Sequence, residues 1–310
     1  MNSYHKFRSF IILCTILSQT LSIKPYFENI YSKLFSKQIE ETVQKELTLN
    51  KNGTLSIENI HGNINIKTEW KQNSIILKAT KRISKKENPK NTIIKIDKQI
   101  SKNKIFITTE SKDDKCKPTV NYELIIPNNI TVHLKTDNGD IKIQKTRGPI
   151  SAITNNGNIK IVEAKGKISA ITKNGNISIE QTQENVTAKA VYGNIDIINS
   201  SKSVQAKTDS GNIKVACKTI GSLSNIDLDT KKGNISVCLP NSTNADLKAC
   251  TTKGKVTSEH LITIKPQTVT LDKQTWTRFK REVDGTLGSG EATIKLSSNY
   301  GNIKIKKNKA

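Results

Sequence analysis

A glycine followed by Asn or Asp and then by Ile recurs at a constant interval through the middle of the chain. The five glycines of this ungapped run are Gly139, Gly157, Gly175, Gly193 and Gly211. Related glycines follow at positions 233 and 254, after slightly longer intervals, and others stand at positions 62 and 301. A fixed period near twenty residues is typical of solenoids, in which each repeat is one coil of a stack.

Each repeat contains two runs in which apolar residues alternate with polar ones. Ile150, Ala152 and Thr154 alternate before the glycine, and Ile159 and Ile161 alternate after it. Alternation with a period of two is typical of β-strands. The glycine between the runs marks a turn at which a side chain would hinder the backbone. We therefore predict an all-β chain whose centre is a parallel β-solenoid, or β-helix, of two-strand coils of about 18 to 22 residues.

Stacking the coils in register places equivalent residues of successive repeats over one another. The predicted internal columns are Ile159, Ile177, Ile195, Ile213 and Ile235; Val132, Ile150, Ile168, Val186 and Val204; and, at the narrow edge, Thr136, Thr154, Thr172, Ala190, Thr208 and Thr230. The predicted turn glycines are Gly139, Gly157, Gly175, Gly193, Gly211 and Gly233. Beside them, a hydrogen-bonded ladder is predicted for Asp140, Asn158, Asn176, Asn194, Asn212 and Asn234.

Composition and periodicity divide the chain into five segments. They are a signal peptide at 1–22, an amphipathic helix or linker at 23–45, an N-terminal β part with the first coil at 46–129, regular β-solenoid repeats at 130–262, and a C-terminal insertion with a closing coil at 263–310. The end segments are expected to close the solenoid, because an open stack exposes strand edges that promote aggregation.

Positions 1–22 have the three-part layout of a secretory signal peptide. Lys6 and Arg8 precede an apolar run at 10–17, and small or polar residues follow up to Ser22. The apolar run is shorter than the roughly 20 residues that span a bilayer. The sequence therefore predicts export, to the periplasm, the cell envelope or the cell surface.

Apolar residues at three- and four-residue spacing predict a short amphipathic helix after the signal segment. They are Tyr26, Phe27, Ile30, Tyr31, Leu34, Phe35, Ile39 and Val43. Such a helix fits a cap over the first coil or a stalk, because repeat domains need capped ends. The alternative is a peripheral membrane contact through residues 26–43.

The chain is strongly basic, with 50 Lys and Arg against 27 Asp and Glu and a formal net charge of +23. Solvated strand faces and AT-rich codon usage account for much of this excess, and net charge alone identifies no specific partner. The candidate binding residues are lysines predicted to face outward in two columns, namely Lys142, Lys160 and Lys214 on one strand and Lys135, Lys189 and Lys207 on the other. Charges about 4.8 Å apart on successive coils suit a polyanion such as an acidic glycan or lipopolysaccharide. An envelope protein is the other expected partner. Nucleic acid is not expected, because interleaved aromatic residues that stack on bases are absent from the sequence.

Residues that would support catalysis, metal binding or a cofactor are sparse. The four histidines are dispersed without metal-ligand or triad spacing, and the sequence contains no phosphate-binding glycine loop. We therefore predict a non-enzymatic protein without a metal or a cofactor. Asp209, Asp227 and Asp229 form the nearest acidic cluster and carry the alternative of a glycan-active β-helix enzyme. The simpler interpretation is that these carboxylates are solvated and compensate lysines.

Four cysteines follow the signal segment, at Cys116, Cys217, Cys238 and Cys250. An even count in an exported protein favours disulfides. Cys217 and Cys238 follow their turn glycines, Gly211 and Gly233, at nearly the same distance, so the repeat places both at the same edge of adjacent coils. We predict a disulfide between Cys217 and Cys238.

Several segments taken together resemble a known bacterial family. They are an early "GTLSIENIHGNINI" followed by "W", a later "YELIIP", the repeated T-x-x-G-x-I-x-I units and a closing "GSGEATIKLSSNYGNIKI". In this order they resemble the putative-adhesin family of β-strand repeat proteins, a domain of unknown function similar to the head domains of autotransporter-adhesin-like proteins. The resemblance covers nearly everything after residue 44. It implies an exported β-helical envelope protein, with adhesion as the family's label.

We therefore expect an exported cell-envelope protein that acts as an adhesin or as a binding scaffold for an acidic glycan or a protein partner. One alternative is the glycan-active enzyme. The other is a structural or regulatory periplasmic module without a dedicated ligand. The resemblance contributes no catalytic residue that decides among these hypotheses.

Overall fold

The computed structural model describes residues 38–69, 74–84, 89–99, 103–112, 118–264 and 280–308. Within these residues the chain is all-β, with 25 strands and one short 3-10 helix, Pro89–Asn91. The predicted signal peptide, most of the predicted amphipathic helix, Cys116 and the middle of the C-terminal insertion lie outside the described residues. No helix in the described ranges has the length and apolar content needed to cross a membrane.

The strands fall into three groups along the chain. Those before the regular repeats are β1 (Gln38–Thr48), β2 (Thr54–His61), β3 (Ile64–Glu69), β4 (Ser74–Ser84), β5 (Thr92–Gln99), β6 (Lys104–Ser111) and β7 (Thr119–Pro127). Those of the regular coils are β8 (Thr131–Asn138), β9 (Ile141–Gln144), β10 (Ile150–Asn156), β11 (Ile159–Ala164), β12 (Ile168–Asn174), β13 (Ile177–Thr182), β14 (Val186–Tyr192), β15 (Ile195–Ser200), β16 (Val204–Ser210), β17 (Ile213–Cys217), β18 (Asn225–Lys232) and β19 (Ile235–Leu239). Those that follow are β20 (Ala245–Thr251), β21 (Val256–Ser258), β22 (Thr263–Ile264), β23 (Glu282–Leu287), β24 (Ala292–Tyr300) and β25 (Ile303–Lys307).

Each coil contributes one strand to each of two stacked sheets. The leading sheet holds the strand before each glycine turn, in the order β5, β6, β2, β8, β10, β12, β14, β16, β18, β24, β20, β23 and β22. The trailing sheet holds the strand after the turn, in the order β1, β4, β7, β3, β9, β11, β13, β15, β17, β19, β25 and β21. Pairing is parallel from β6 to β20 and from β7 to β21, as a parallel β-solenoid requires. The predicted fold class is confirmed.

The inner faces of the two sheets enclose one hydrophobic core. The register pairs Ile159 with Ile177 and Ile177 with Ile195 in the trailing sheet, and Ile150 with Ile168 in the leading sheet. These side chains are buried because alternate residues of each strand face inward. The core is narrow and aliphatic, which explains how a chain with only 34% hydrophobic and 5% aromatic residues folds.

A column of threonines closes the core beside the glycine turn. Thr154, Thr172, Thr208 and Thr230 are buried, and each donates its hydroxyl proton to the carbonyl of a turn glycine one coil earlier, at 3.0 to 3.1 Å. A buried polar group without a partner costs about 1 to 3 kcal/mol. Threonine is therefore favoured over valine in this column, because the two have similar shapes and only threonine carries the hydroxyl.

The C-terminal end of the stack is built out of sequence order. The coil of β24 and β25 lies between the coil of β18 and β19 and the coil of β20 and β21. The expected closing coil is thus the last but one, and β23 and β22 cover the final coil of the leading sheet as antiparallel strands. Sequence spacing placed Gly254 directly after Gly233, which is wrong. Gly301 stacks on Gly233, and Gly254 stacks on Gly301.

The N-terminal end is rearranged in the same way. The coil of β2 and β3 lies between β8 and β9 on one side and β6 and β7 on the other. β1 pairs antiparallel with β4 along its whole length of 11 residues. Residues 38–45 are therefore strand, and the predicted helix is wrong for this part of 23–45. Ile39 and Val43 have helical spacing, but continuous backbone pairing with β4 outweighs so short a local pattern.

Candidate functional site

The stacked coils have two narrow edges. At the turn edge each leading strand passes to its trailing strand through the glycine, and at the closing edge each trailing strand passes to the next leading strand. Successive coils touch through their backbones at the turn edge, since a Cβ atom on Gly193 would lie 1.8 Å from the carbonyl oxygen of Gly175. A Cβ atom on Gly175 would lie 2.0 Å from that of Gly157. No side chain fits at such distances, so these glycines permit the close approach of the coils.

Asparagine side chains join successive coils at the same edge. Oδ1 of Asn158 accepts the backbone N–H of Asn176 at 2.9 Å, and Oδ1 of Asn176 accepts that of Asn194 at 2.8 Å. Equivalent bonds continue in both directions through Asn121, Asn63 and Asp140, and through Asn212, Asn234 and Asn302. The ladder consists mainly of side-chain-to-backbone bonds, so its residues serve the stack itself.

The column next to this ladder faces solvent and changes along the stack. Nδ2 of Asn174 donates to Oδ1 of Asn156 at 2.7 Å. Further along the same column, Tyr192 and Tyr300 are 58% and 53% exposed, and the ammonium group of Lys253 lies 4.9 Å from the centre of the Tyr300 ring. The column thus changes from asparagines to exposed tyrosine rings with lysines beside one of them.

The six lysines predicted to bind a partner lie on two separate faces. Lys135, Lys189 and Lys207 are on the outer face of the leading sheet, and Lys142, Lys160 and Lys214 are on that of the trailing sheet. The outer faces point away from each other, because the two sheets share one core between them. The structure therefore does not bring the six lysines into one site.

On each face, two of the three predicted lysines are nevertheless adjacent. Lys142 is next to Lys160 in register, and Lys189 is next to Lys207. Neighbouring strands lie about 4.8 Å apart, and like charges at that separation repel each other. A carboxylate reduces the repulsion in each pair, because Glu180 lies 3.1 Å from the Lys160 ammonium group and Asp227 lies 3.4 Å from that of Lys207.

The acidic residues of the enzyme alternative also lie next to lysines. Asp227 is 3.4 Å from the ammonium group of Lys207, Asp229 is in register with Lys207, and Asp209 is 2.9 Å from Lys231. This is the arrangement of charge-compensating surface pairs. Among the described residues, no group of three or more His, Cys, Asp or Glu side chains is placed to hold a metal ion.

Cys217 and Cys238 are free thiols in the structure, so the predicted disulfide is not formed. Cys217 is in register with Ser200 and is buried, whereas Cys238 is in register with Ala216 and donates from outside to the carbonyl of Lys307. The cause is a register shift, since the coil of Cys217 lacks one bulge residue that earlier coils contain. Burial, only partly offset by the hydrogen bond from Ser200, raises the pKa of the Cys217 thiol to about 11.

A cavity of about 310 Å³ opens at the closing edge of the first regular coils. Its wall is formed by Lys145, Thr146, Arg147, Glu163, Lys165, Gln181 and Gln183. Sequence reasoning missed this cavity, because its residues recur in position without recurring in type. The sequence does contain one signal for it. Long polar residues recur at the repeat interval at or just after the end of the trailing strands, as at Lys145, Glu163 and Gln181.

The backbone bends in an uncommon way at this cavity. The φ angles are 60° at Lys145, 57° at Glu163, 57° at Gln181 and 58° at Asn199 in the next coil. The left-handed region costs a non-glycine residue roughly 1 to 2 kcal/mol. All four side chains are exposed. The bend is therefore a repeated feature that displays polar side chains along the closing edge.

One protein-family model matches most of the chain. The model of Toastrack DUF4097 matches residues 18–306. This chain belongs to the Toastrack DUF4097 family. The match confirms the resemblance to β-strand repeat proteins of unknown function that the sequence motifs carry. No curated protein matches the Toastrack chain.

Two solved structures are distantly similar to the Toastrack chain. One is described as a putative adhesin from Bacteroides fragilis; it is 14% identical, with 86% of this chain and 97% of that chain covered and a TM-score of 0.48. The other is described as a putative cell adhesion protein from Clostridium sporogenes; it is 14% identical, with 87% and 100% covered and a TM-score of 0.28. The fold assignment rests on the family match and on the strand pairing.

Proposed function

We propose that this Toastrack protein is an exported, non-enzymatic protein of the cell envelope that binds an acidic glycan, as an adhesin or binding scaffold. The observation that carries the proposal is the placement of Lys142 beside Lys160 and of Lys189 beside Lys207. Rigid neighbouring strands hold each pair about 4.8 Å apart at the backbone. In each pair one lysine has a carboxylate partner, Lys160 with Glu180 and Lys207 with Asp227. Among the described residues no ion pair compensates the other lysine, Lys142 or Lys189, so an anionic polymer laid across the strands is attracted to it.

The architecture supports a scaffold role because the interior repeats and the exterior varies. Inward positions hold similar small or aliphatic residues in coil after coil, as at Ile159 and Ile177. The outward neighbours differ, with Lys160 in register with Ser178. Stability is supplied by the repeated positions, so the outward positions are available for binding.

The non-enzymatic part of the proposal is supported by the surroundings of the carboxylates. Glycan hydrolysis uses two carboxyl groups whose environments separate their roles as acid and as base or nucleophile. Asp227 and Asp209 are each paired with a lysine ammonium group instead, Lys207 and Lys231. The enzyme and the ligand-free module are the competing functions, and the binding experiment separates all three.

The export part of the proposal is supported by positions 1–22, whose layout is that of a signal peptide. Fractionation of cells that express the whole chain tests it. We expect the protein in the periplasm, the envelope or the medium, with an N terminus close to residue 23 by mass spectrometry. Recovery in the cytoplasm with the signal segment intact contradicts export.

An array of acidic and neutral glycans, probed with the purified protein at two salt concentrations, tests the ligand. We expect binding to acidic glycans that weakens at high salt, because screening reduces attraction between exposed charges. No product should be released. Release of shortened glycan supports the enzyme, and absence of binding to every glycan supports the module without a ligand. Either outcome contradicts the proposal.

A pair of charge-reversal variants separates the placement of lysines from net charge. Lys142→Glu removes one member of an adjacent pair and is expected to weaken binding. Lys218→Glu makes the same change of charge at an exposed position of the closing edge, outside both sheet faces. Equal loss in the two variants shows that net charge alone drives binding and contradicts a role for the pair.

A further inference from the structure

The cavity at the closing edge retains side chains where glycine would be less strained. Lys145, Glu163 and Gln181 all have positive φ angles of 57° to 60°. Glycine adopts such angles without steric cost, and the chain places Gly148 and Gly166 a few residues further on in the same connections. Strain that is kept at residues with side chains is characteristic of functional sites. The side chains at these bends are therefore the feature to explain.

The wall of the cavity is predominantly basic. Lys145, Arg147 and Lys165 contribute three positive charges, and Glu163 contributes one negative charge, which leaves +2 from these four groups. Among the described residues, neither Lys145 nor Lys165 forms an ion pair with a carboxylate. Cations gathered around a concave wall concentrate attraction for an anion.

The same wall carries uncharged polar groups. Gln181 and Gln183 supply amides that both donate and accept hydrogen bonds. Thr146 is only 2% exposed and closes the base of the wall. Cations together with amides match a ligand that has an oxyanion and several hydroxyl groups.

We infer that this cavity binds one acidic sugar residue, with the oxygen atoms of its carboxylate or phosphate against Lys145, Arg147 and Lys165. The volume of about 310 Å³ is at the lower end for small-molecule sites, which suits a single sugar ring. This inference rests on the proposed function, because it assigns an acidic glycan a specific site. That site is on the closing edge, apart from the two faces that carry the lysine pairs.

An NMR titration of the isotope-labelled protein tests the site. The probes are galacturonate, glucose 6-phosphate, glucose and inorganic phosphate. We expect saturable shifts of the amides at 145–147, 163–165 and 181–183 with at least one acidic sugar and none with glucose. The two acidic sugars show whether a carboxylate or a phosphate is preferred. Absence of shifts with both acidic sugars overturns the inference, and so does an equal response to inorganic phosphate, because the sugar is then not recognised.

Two exposed residues of the wall give variants with opposite expected effects. Lys165→Glu is expected to weaken acidic-sugar binding by about tenfold or more, because it turns a cation of the wall into an anion. Glu163→Gln is expected to strengthen it several-fold, because it removes a carboxylate that repels the ligand. Lys173→Glu, at an exposed position of the turn edge on the other side of the same coils, is the control and should leave the titration unchanged. Equal or same-direction effects of the two wall variants overturn the inference.

The titration also separates failure of this inference from failure of the proposed function. Binding of an acidic polymer that persists in Lys165→Glu, with no monosaccharide shift in the unmodified protein, overturns the cavity site and leaves the proposed function standing. Amide shifts at the cavity with an acidic monosaccharide, without binding of any acidic polymer on the array, support the cavity site and contradict the proposed function. Thermal unfolding of each variant shows that the fold is retained.

Discussion

The side-chain oxygen of Asn176 accepts the backbone N–H of Asn194, which lies one coil further along, at 2.8 Å. Asn176→Ala removes the acceptor, and we expect the free energy of unfolding to fall by about 1 to 2 kcal/mol. Lys173→Ala, at an exposed position of the same turn, is the control and should change stability by less than about 0.5 kcal/mol. Urea unfolding measures both, and equal values contradict the role of the ladder.

Gly193→Ala tests the close approach of the coils. Its Cβ atom would lie 1.8 Å from the carbonyl oxygen of Gly175, so the stacked backbones must separate. We expect a loss of about 3 kcal/mol or more in the free energy of unfolding, or failure to fold. Gly221→Ala is the matched control, because its nearest contact would be Ser224 Oγ at 3.6 Å. Similar stability of the two variants in thermal unfolding refutes the steric explanation.

Ile177→Asp tests which side of the trailing sheet faces the core. Ile177 is 1% exposed, so the substitution buries a charge without a partner and should prevent stacking. Lys160→Glu, one coil earlier on the outer face, loses only a partly exposed ion pair with Glu180 and should cost less than about 1 kcal/mol. Circular dichroism melting compares them, and comparable losses would show that the facing is misassigned.

Tyr122 gives the stability a dependence on alkaline pH. Burial, only partly offset by its hydrogen bond with Thr109, raises the pKa of Tyr122 to about 12, from about 10 for an exposed tyrosine. The folded state therefore disfavours ionisation of Tyr122. The contribution of the neutral phenol to the free energy of unfolding is complete below pH 10 and is lost as the pH rises to about 12. The expected loss is about 2 to 3 kcal/mol. Denaturant unfolding of Tyr122→Phe should show a smaller decline over that range than the unmodified protein, and identical declines contradict the assignment.

The cysteines should differ in their reactivity toward iodoacetamide. Cys250 is exposed, whereas Cys217 is buried and the pKa of its thiol is raised to about 11. The thiolate is the reactive form, so we expect Cys250 to be alkylated in the native protein and Cys217 only after unfolding. Peptide mass spectrometry without reductant gives the readout. A disulfide between Cys217 and Cys238, or native labelling of Cys217 at the rate of Cys250, contradicts the structure.

The sequence predicted the regular coils well because the same physical requirement recurs in each of them. Ile159 and Ile177 occupy equivalent core positions, so the constant interval between repeats determines their pairing. The order of the end coils could not be predicted in this way. Gly301 stacks on Gly233 because strand edges pair by complementarity in space, and spacing along the chain says nothing about which coil is inserted between two others.

The functional surfaces were less accessible to sequence reasoning. Outward lysines were identified, but the distribution of Lys142 and Lys189 over opposite faces follows only from the shared core. The cavity depends on a bend at Glu163 whose φ angle leaves no signature in residue type. The coil of Cys217 lacks the residue that makes this bend, so the Cys217 side chain faces inward. Counting residues from the turn glycine could not reveal this change.

β24 and β25 lie between two coils that precede them in the sequence, and this arrangement constrains the order in which the coils can stack during synthesis. The coils from β8 to β19 can assemble one upon another as the chain lengthens, because each stacks on the coil made before it. The coil at 245–258 cannot take its place until synthesis has passed residue 307. A nascent chain halted before residue 292 would present β18 and β19 as an open edge to any neighbouring chain. The C-terminal coils of the stack are thus completed only late in synthesis, when β24 and β25 pair with β18 and β19.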